Sequence, residues 1–362
     1  MIKWWNVKLG NNEKKSINKI FFYKSFSSGP MTRKLEKKLE KYLRVKNVIA
    51  VNSGSNGMLL SLLSLELKPN DEIIIPNIGW ISLINSLKIL NLKPILIDVE
   101  KNRPLIDIGK IQKKITKKTR VIIPVHMNGR VSDMKKLLYL AKKNNISIIE
   151  DSAQAFGVKF KNNFLGSFGD IGVFSMSMTK IPCAGQGGFL VVKKNKLANK
   201  LRLMRTQGAD DVFKVKYWRN FGFNFKITDM QSAIALSQLR NIDKYINKMK
   251  NNFSIYEKLL KNLSNYIYPA FINLKNGEMP LYNEFICKNR LKLINHLNKN
   301  DIETREFYPS FNKVKYMKFK KTQFPNSRIF ENNSIYLPSG PNLKLKEIKR
   351  TVEVIKNFYE KN

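Results

Sequence analysis

Short apolar runs alternate with amphipathic segments through the first two-thirds of the chain. The runs are continuous, which is typical of strands buried on both faces of a sheet, whereas the longer amphipathic segments are typical of helices. This alternation predicts an α/β fold with a mostly parallel, seven-stranded sheet. The predicted strands are 48–52, 72–76, 94–99, 120–126, 146–151, 171–177 and 188–192, and the predicted helices are 58–67, 81–90, 134–144 and 197–205.

The pattern changes near Thr228, which is a plausible N-cap for one or two long helices over 228–263. A smaller α+β unit is expected to follow. Its predicted parts are a helix over 289–300, a region punctuated by proline over 309–341 and a closing helix from Leu345. We therefore predict two domains, a large one over 1–250 that includes the N-terminal segment and a small one over 251–362. The first thirty residues are expected to pack against the large domain or a partner subunit.

Composition narrows the class of protein. The chain has 362 residues, 43% of them hydrophobic, which is enough to bury a large core. Two cysteines, Cys183 and Cys287, form neither a disulfide framework nor a zinc site, so no metal is expected. The N-terminus lacks the apolar stretch of a signal peptide, and no run reaches the ~20 apolar residues that span a bilayer. A cytoplasmic protein without a membrane partner is the expectation.

The formal net charge is +39, which is typical of proteins that bind nucleic acid or membrane surfaces. The basic residues, however, form short pairs spread along the chain, such as Lys113-Lys114 and Lys142-Lys143, and no run of five like charges occurs. Abundant lysine, asparagine and isoleucine indicate the codon bias of an AT-rich genome. That explanation is favoured, and no nucleic-acid partner is expected, although the excess charge could help to attract an anionic substrate.

Two ionisable residues follow predicted strands at the edge where parallel sheets bind their ligands. Asp151 ends the fifth predicted strand, and Lys180 follows the sixth, just before a glycine-rich turn over 184–188. A carboxylate that faces a lysine across a cleft is what an enzyme dependent on pyridoxal 5'-phosphate (PLP) needs: the acid keeps the pyridine nitrogen protonated, and the amine forms a Schiff base. A structural partner for Asp151, an arginine or a helix N-terminus, fits the residues equally well.

The turn over 53–57 follows a strand and opens a helix. Its free amides and small hydroxyls are suited to a phosphate group, although Ser53 could equally be an ordinary N-cap. The turn does not match the P-loop pattern, so ATP is not expected. Trp80 lies near another strand end and could stack on a planar cofactor or belong to the core. Glu150 points away from the ligand side of its strand, and His126 is expected to be structural or adjacent to the cofactor.

Together these segments resemble the nucleotide-sugar aminotransferases of the DegT/StrS type, which are PLP enzymes of fold type I. The resemblance covers about residues 25–360. It rests on NSGSNG (52–57), PNIGW (76–80), IEDSAQAFG (149–157), GSFGDIGVFSMSMTK (166–180), FGFNFKITDMQSAIALSQL (221–239) and YLPSGPNL (336–343).

The resemblance implies a role for each matching residue. Lys180 would carry the Schiff base, Asp151 would pair with the pyridine nitrogen, and Gln154 would lie near the phenolic oxygen of the cofactor. Trp80 would stack on the ring. The phosphate would be bound by Ser55, Asn56 and Ser175, and by Asn224 from the second subunit of a homodimer.

The same resemblance implies the reaction, which is transfer of an amino group from an amino acid, expected to be L-glutamate, to a nucleotide-linked keto-sugar. A 4-keto-6-deoxy sugar, as in perosamine synthesis for a surface polysaccharide such as O-antigen, is the expected acceptor. Several positions depart from the family pattern: Gly57 replaces alanine, Gly79 threonine, Gln186 an acid, Lys226 arginine and Arg130 glutamine, and a histidine is missing from 306–313.

These departures concern the substrate, because the position of Arg130 and the stretch 306–313 line the sugar side of the cleft in relatives. The alternatives are a PLP-dependent sugar dehydratase, in which a histidine replaces the Schiff-base lysine, and a non-catalytic PLP-binding regulator.

Overall fold

The computed structural model describes residues 1–23, 26–212, 214–319 and 323–360. Its strands and helices alternate between residues 48 and 151, as the hydrophobic pattern predicts. The helices are α1 (Asn11–Tyr23), α2 (Pro30–Leu43), α3 (Gly54–Ser64), α4 (Ser82–Ile89), α5 (Ile108–Ile111), α6 (Met134–Lys143), α7 (Asn195–Arg205), α8 (Asp229–Leu239), α9 (Ile242–Leu260), α10 (Arg290–Lys299), α11 (Pro325–Asn333) and α12 (Leu345–Glu360).

The strands fall into two main sheets and one short hairpin. They are β1 (Val48–Val51), β2 (Glu72–Pro76), β3 (Lys93–Ile97), β4 (Thr119–Ile122), β5 (Ser147–Asp151), β6 (Lys159–Phe160), β7 (Asn163–Phe164), β8 (Ile171–Ser175), β9 (Gly188–Val192), β10 (Ile267–Pro269), β11 (Asn283–Cys287), β12 (Arg305–Glu306) and β13 (Ser334–Leu337).

The first sheet contains the seven predicted strands in the order β1-β9-β8-β5-β4-β2-β3. The pairs from β8 through β5, β4 and β2 to β3 are parallel, whereas β9 runs antiparallel to both of its neighbours. The mostly parallel sheet is therefore confirmed. Its central strands are apolar on both faces, and Ile73, Ile74 and Ile75 are fully buried. Burying a side chain of this size contributes about 1.5–3 kcal/mol, which explains why these runs lie at the centre.

Most predicted boundaries differ from the structure by one to three residues, and the two largest differences have identifiable reasons. The fourth strand ends at Ile122 instead of residue 126, because Pro124 has no N–H to continue the ladder. The first predicted helix, which is α3, begins at Gly54 instead of residue 58. The hydroxyl of Ser53 accepts a hydrogen bond from the backbone N–H of Asn56 at 3.1 Å and caps the helix there.

The predicted helical stretch over 228–263 is two helices, α8 and α9. Thr228 is the N-cap of α8 and forms a capping box with Gln231, as each side chain accepts a hydrogen bond from the backbone of the other residue. The carboxylate of Asp229 in turn accepts hydrogen bonds from the N–H groups of Gly29 and Thr32, which lie at the start of α2. The beginning of α8 therefore holds α2 in place.

The second sheet is antiparallel, in the order β10-β11-β13-β12. A separate hydrophobic cluster forms between it and the C-terminal half of α9, α10 and α12, and includes Phe253, Tyr256, Leu293, Ile348 and Ile355. Helix α9 crosses residue 250, so the domain boundary that was predicted there would fall inside a continuous helix. The boundary itself stays a prediction.

The N-terminal segment packs in two places, beside the second sheet and on helix α8. Ile2 and Trp5 form parallel bridges with Ile302 and Ser339 beside the second sheet. Helix α1 packs on α8, where the side-chain amide of Gln238 donates to the carboxylate of Glu13 at 2.9 Å. The first six residues are therefore tied to the C-terminal part of the chain, whereas α1 packs on the large part as predicted. Within the described residues, the helices are all too short or too polar to cross a bilayer.

Candidate active site

A cleft of about 270 Å³ opens at the carboxyl ends of β5 and β8, beside the N-terminus of α3. The edge of the parallel sheet thus carries the cavity where the topology predicts it. Six of the eight predicted site residues line this cleft together: Ser55, Trp80, Asp151, Gln154, Ser175 and Lys180.

Lys180 lies on the turn that follows β8. Its Nζ donates a hydrogen bond to the hydroxyl of Tyr282 at 2.9 Å and lies 5.3 Å from the centroid of the same ring. Tyr282 is fully buried and comes from the segment that leads into β11, so the second sheet holds this lysine at the cleft.

Asp151 is the last residue of β5, and its Oδ1 accepts a hydrogen bond from the backbone N–H of Ala153 at 3.1 Å. Burial raises the pKa of this carboxyl group, while the Ala153 N–H and the nearby charge of Lys180 act in the opposite direction. A buried carboxylate whose charged form is disfavoured gains most from a cation. The protonated nitrogen of a pyridine ring would supply that cation, so the site fits the ring edge of PLP.

Glu150 faces the opposite side of β5, as the alternation of strand side chains predicts. Its carboxylate is fully buried and accepts hydrogen bonds from the backbone N–H groups of Gly166, Phe168 and Gly169 at 2.7–2.9 Å. It also lies 3.1 Å from Nε2 of His126, which is itself fully buried. Glu150 and His126 are therefore structural and bind together the segments beneath the cleft.

The N-terminus of α3 and the end of β8 form a narrow cradle. A Cβ atom on Gly54 would lie 3.1 Å from Cβ of Ser175, and one on Gly188 would lie 2.6 Å from the backbone nitrogen of Gly54. Only glycine permits such a close approach of backbone segments. The hydroxyls of Ser55 and Ser175 line the cleft beside the first turn of the helix, so the cradle presents the polar groups and the positive dipole end that suit a phosphate.

Two predicted phosphate ligands lie elsewhere. Asn56 does not line the cleft, and its side-chain amide donates to Oδ1 of Asn52 at 2.8 Å. Asn224 is exposed and bridges to Thr206, away from the cleft of its own chain. The predicted contribution of Asn224 to the site of a second subunit stays a prediction.

Trp80 and Gln154 line the cleft but differ in exposure. The ring of Trp80 is 48% exposed at the mouth and lies edge-on to Tyr308, with the centroids 5.8 Å apart. Gln154 is buried, and its Oε1 accepts a hydrogen bond from the backbone N–H of Asn128 at 2.9 Å. Trp80 is thus free to cover a ligand, whereas Gln154 presents a fixed amide.

The C-terminal part of the chain contributes three lining residues that were not found from the sequence: Tyr282, Arg305 and Tyr308. They come from the second sheet and its loops, more than 100 residues beyond Lys180 or Asp151 in the chain. The sequence carries no local motif that marks Tyr282 or Arg305. Tyr308 lies in the stretch 306–313, where the family pattern indicates the sugar side of the cleft.

Arg130 was expected on the sugar side of the cleft, but in the structure it does not line the cleft. Its guanidinium group is fully buried and pairs with the carboxylate of Glu284 at 2.7 Å. It also donates to the carbonyl oxygens of Ala270 and Phe271 at 3.0 and 2.8 Å. Such a group joins the loop after β4 to the second sheet, because a buried guanidinium needs all its donors satisfied.

Comparison with known proteins agrees with this geometry. A model of the DegT/DnrJ/EryC1/StrS aminotransferase family matches residues 7–356. The chain belongs to this family. It is therefore a PLP-dependent sugar aminotransferase, and the predictions of the family, the cofactor and the enzyme class are confirmed.

One curated relative of this aminotransferase is the GDP-perosamine synthase of Escherichia coli O157:H7, which is 31% identical over 354 residues, 97% of this chain and 96% of the relative. A solved structure, Helicobacter pylori PseC, an aminotransferase involved in the biosynthesis of pseudoaminic acid, covers 100% of both chains with a TM-score of 0.94 and 23% identity. Another is the E. coli GDP-4-keto-6-deoxy-D-mannose-3-dehydratase with bound hydrated PLP, which has a TM-score of 0.89 and 23% identity and covers 98% of this chain and 99% of that one. At this identity, both structures confirm the type I fold.

Proposed function

We propose that this aminotransferase moves an amino group from L-glutamate to a nucleotide-linked 4-keto-6-deoxy sugar, as a step in the synthesis of a surface polysaccharide. The observation that carries the proposal is the arrangement of Lys180, Asp151 and the cradle of Ser55 and Ser175 around one cleft. The substrate class is supported by the relative named GDP-perosamine synthase, which is similar over nearly its whole length.

The residues that would hold the cofactor each have one task in this proposal. Asp151 would hold the pyridine nitrogen of the cofactor protonated, and the cradle at the start of α3 would bind its phosphate through Ser55 and Ser175. Trp80 would cover the ring, and the amide of Gln154 would serve the phenolic oxygen. When bound, PLP supplies the electron sink that makes the α-carbon of the donor acidic.

Lys180 has two successive roles. Nζ would form the covalent bond to PLP. Once free of that bond, Nζ would take the proton from the α-carbon of the donor as general base and return it to the cofactor as general acid. The hydroxyl of Tyr282, 2.9 Å away, is the hydrogen-bond partner that keeps the released amine near the reacting atoms. The same steps run in reverse on the keto-sugar, so ping-pong kinetics are expected.

A homodimer in the cytoplasm is part of the proposal. Asn224 does not line the cleft of its own chain, and Tyr217, Trp218 and Phe221 in the same segment are 60–65% exposed. Exposed aromatic residues in one segment are typical of an interaction surface. We therefore expect this segment to reach the cleft of a second subunit and to complete its phosphate site.

The alternatives differ in testable ways. A dehydratase of this scaffold has histidine at the position of Lys180, so the lysine argues against that activity. A regulator would bind PLP without reacting. We expect the visible absorbance of the bound cofactor to disappear on addition of L-glutamate, and an unchanged spectrum would favour the regulator.

The decisive test is chemical labelling. Borohydride reduction of the protein with PLP, followed by peptide mapping, should place the adduct on Lys180. An adduct elsewhere, or none in protein saturated with PLP, would contradict the proposal. Mass spectrometry of the products from a panel of GDP-, UDP- and dTDP-linked keto-sugars then identifies the acceptor.

A further inference from the structure

Arg305 lines the mouth of the cleft among aromatic rings. Its guanidinium carbon lies 5.2 Å from the ring centroid of Trp4, 5.6 Å from that of Trp80 and 5.2 Å from that of Tyr308. All three distances are within the range of a cation–π interaction, which uses the faces of the rings and the charge of the guanidinium group. The three rings therefore fix the position of the charge without consuming its N–H donors.

No acidic side chain among the described residues lies within 4 Å of this guanidinium group. The adjacent Glu306 pairs with Arg290 at 2.6 Å, and Glu303 pairs with Lys3 at 2.5 Å. Arg305 is thus a cation whose position is fixed by the rings. It is partly open to the cleft and has no acidic counter-ion among the described residues. Arginine in this state presents a planar fork of donors that matches a carboxylate or a phosphate.

The charges around the cleft indicate which ligand suits the guanidinium group of Arg305. The charged residues that line it, among those the structure describes, are Asp151, Lys180 and Arg305. In the proposed reaction Asp151 faces the pyridine nitrogen, and Lys180 is engaged with the cofactor and then with a proton. Arg305 is left to neutralise the anionic part of a substrate whose reacting atom lies near Lys180.

We propose that Arg305 binds the α-carboxylate of the amino donor and that Trp4, Trp80 and Tyr308 position it for that contact. This inference rests on the proposed function. The α-carboxylate lies on the carbon that loses its proton, so a fixed guanidinium group there orients that carbon for Lys180. It also gives the N-terminal segment a function, because the bridges of Ile2 and Trp5 beside the second sheet hold Trp4 against Arg305.

The test compares two donors in single half-reactions followed by the cofactor absorbance. L-Glutamate carries an α-carboxylate, whereas 4-aminobutyrate is the same molecule without it. We expect Arg305→Gln to lower the second-order rate constant for glutamate about 10- to 100-fold, the loss typical of a pair of charge-assisted hydrogen bonds. Arg305→Lys should lose less, because it keeps the charge but not the fork. Neither variant should slow the reaction of 4-aminobutyrate.

Arg328→Gln is the matched control, since Arg328 is exposed, does not line the cleft and changes the net charge by the same amount. An equal loss in this variant would show that general charge steering is responsible and would overturn the inference. The inference would also be overturned if Arg305→Gln lowered the rate constants for both donors equally. It would be overturned as well if neither Arg305→Gln nor Arg305→Lys lowered the rate constant for glutamate.

A larger loss with a nucleotide-linked keto-sugar than with glutamate, measured on the pyridoxamine phosphate form, would assign Arg305 to the diphosphate and also overturn the inference. The borohydride adduct on Lys180 separates these failures from failure of the proposed function. If the adduct forms in the wild type and in Arg305→Gln, an unchanged rate with glutamate refutes only the role of Arg305.

Discussion

Two adjacent acids of β5 show how much one step along a strand changes the task of a residue. Asp151 faces the cleft, where its carboxyl group has one backbone donor, Ala153, and a raised pKa due to burial. Glu150 faces the interior and is surrounded by backbone N–H groups and His126. The alternation of side chains along a strand separates a ligand-binding carboxylate from a structural one.

The pair Asp151→Asn and Glu150→Gln tests this division. Asp151→Asn should keep the free energy of unfolding near that of the wild type but lower kcat about 10²- to 10³-fold, the loss typical of one electrostatic stabiliser in an active site. Glu150→Gln should lower the free energy of unfolding by about 3 kcal/mol, because its amide NH₂ would face N–H donors. Denaturant unfolding and steady-state kinetics measure both. The reverse pattern would refute the assignment of the two faces.

At the scale of elements, the cleft depends on segments that approach closely. The loop after β2 carries Gly79 and Trp80, and the ring of Phe311 packs against this glycine, where a Cβ atom would lie 2.8 Å from Cζ of the ring. The same two segments are joined by hydrogen bonds between Asn77 and Asn312 at 2.9 and 3.0 Å. The position of Trp80 in the cleft is thus coupled to a loop of the C-terminal part.

We expect Gly79→Ala to lower the free energy of unfolding by about 1–3 kcal/mol, because the buried ring of Phe311 has to move. The shift should also change the absorbance of the bound cofactor through the neighbouring Trp80. The control is Gly57→Ala in α3, where the nearest atom, 3.1 Å away, is a methyl group of Leu190 and alanine favours the helix.

The double variant Gly79→Ala/Phe311→Leu should recover part of the loss, since leucine lacks the tip of the ring. Denaturant unfolding of the single and double variants gives the coupling between the two positions. If Gly79→Ala is no less stable than Gly57→Ala, the proposed packing conflict does not exist.

At the scale of the whole molecule, the question is how two chains complete one site. The proposed dimer places Asn224 of one subunit at the phosphate in the cleft of the other. A two-fold interface makes this exchange reciprocal, so each site contains Lys180 from one chain and Asn224 from its partner. Chains with different defects can then restore each other.

Co-expression of Lys180→Ala and Asn224→Ala chains should therefore yield activity that neither homodimer has. One site of each heterodimer is intact, which gives about a quarter of the wild-type activity after random pairing. The control is Lys180→Ala with Asp151→Asn, whose defects lie on the same chain as the cofactor, so that no heterodimer has an intact site. Purification with two different tags isolates the heterodimers. Equal activity of the two mixtures would refute the shared site.

The net charge of +39 also belongs to this scale. Among the described residues, most ion pairs involve exposed lysines, which contribute little to stability because water and salt screen them. Arg130 and Arg305 differ from this background, since one is buried against Glu284 and the other lies among aromatic rings. The location of a cation, and not the net charge of the chain, therefore decides the function of that cation.

The sequence by itself determined the first sheet and the half of the cleft that this sheet carries. Continuous apolar strands have to be buried, and parallel strands have to end at one edge, so Asp151, Ser175 and Lys180 converge without further information. Only the tertiary structure decided the other half. Tyr282, Arg305 and Tyr308 arrive through contacts between segments far apart in the chain, which no local period encodes. Arg130 lies on a loop after a strand of the first sheet, as a site residue would. Contacts with the second sheet nevertheless bury it there instead of in the cleft.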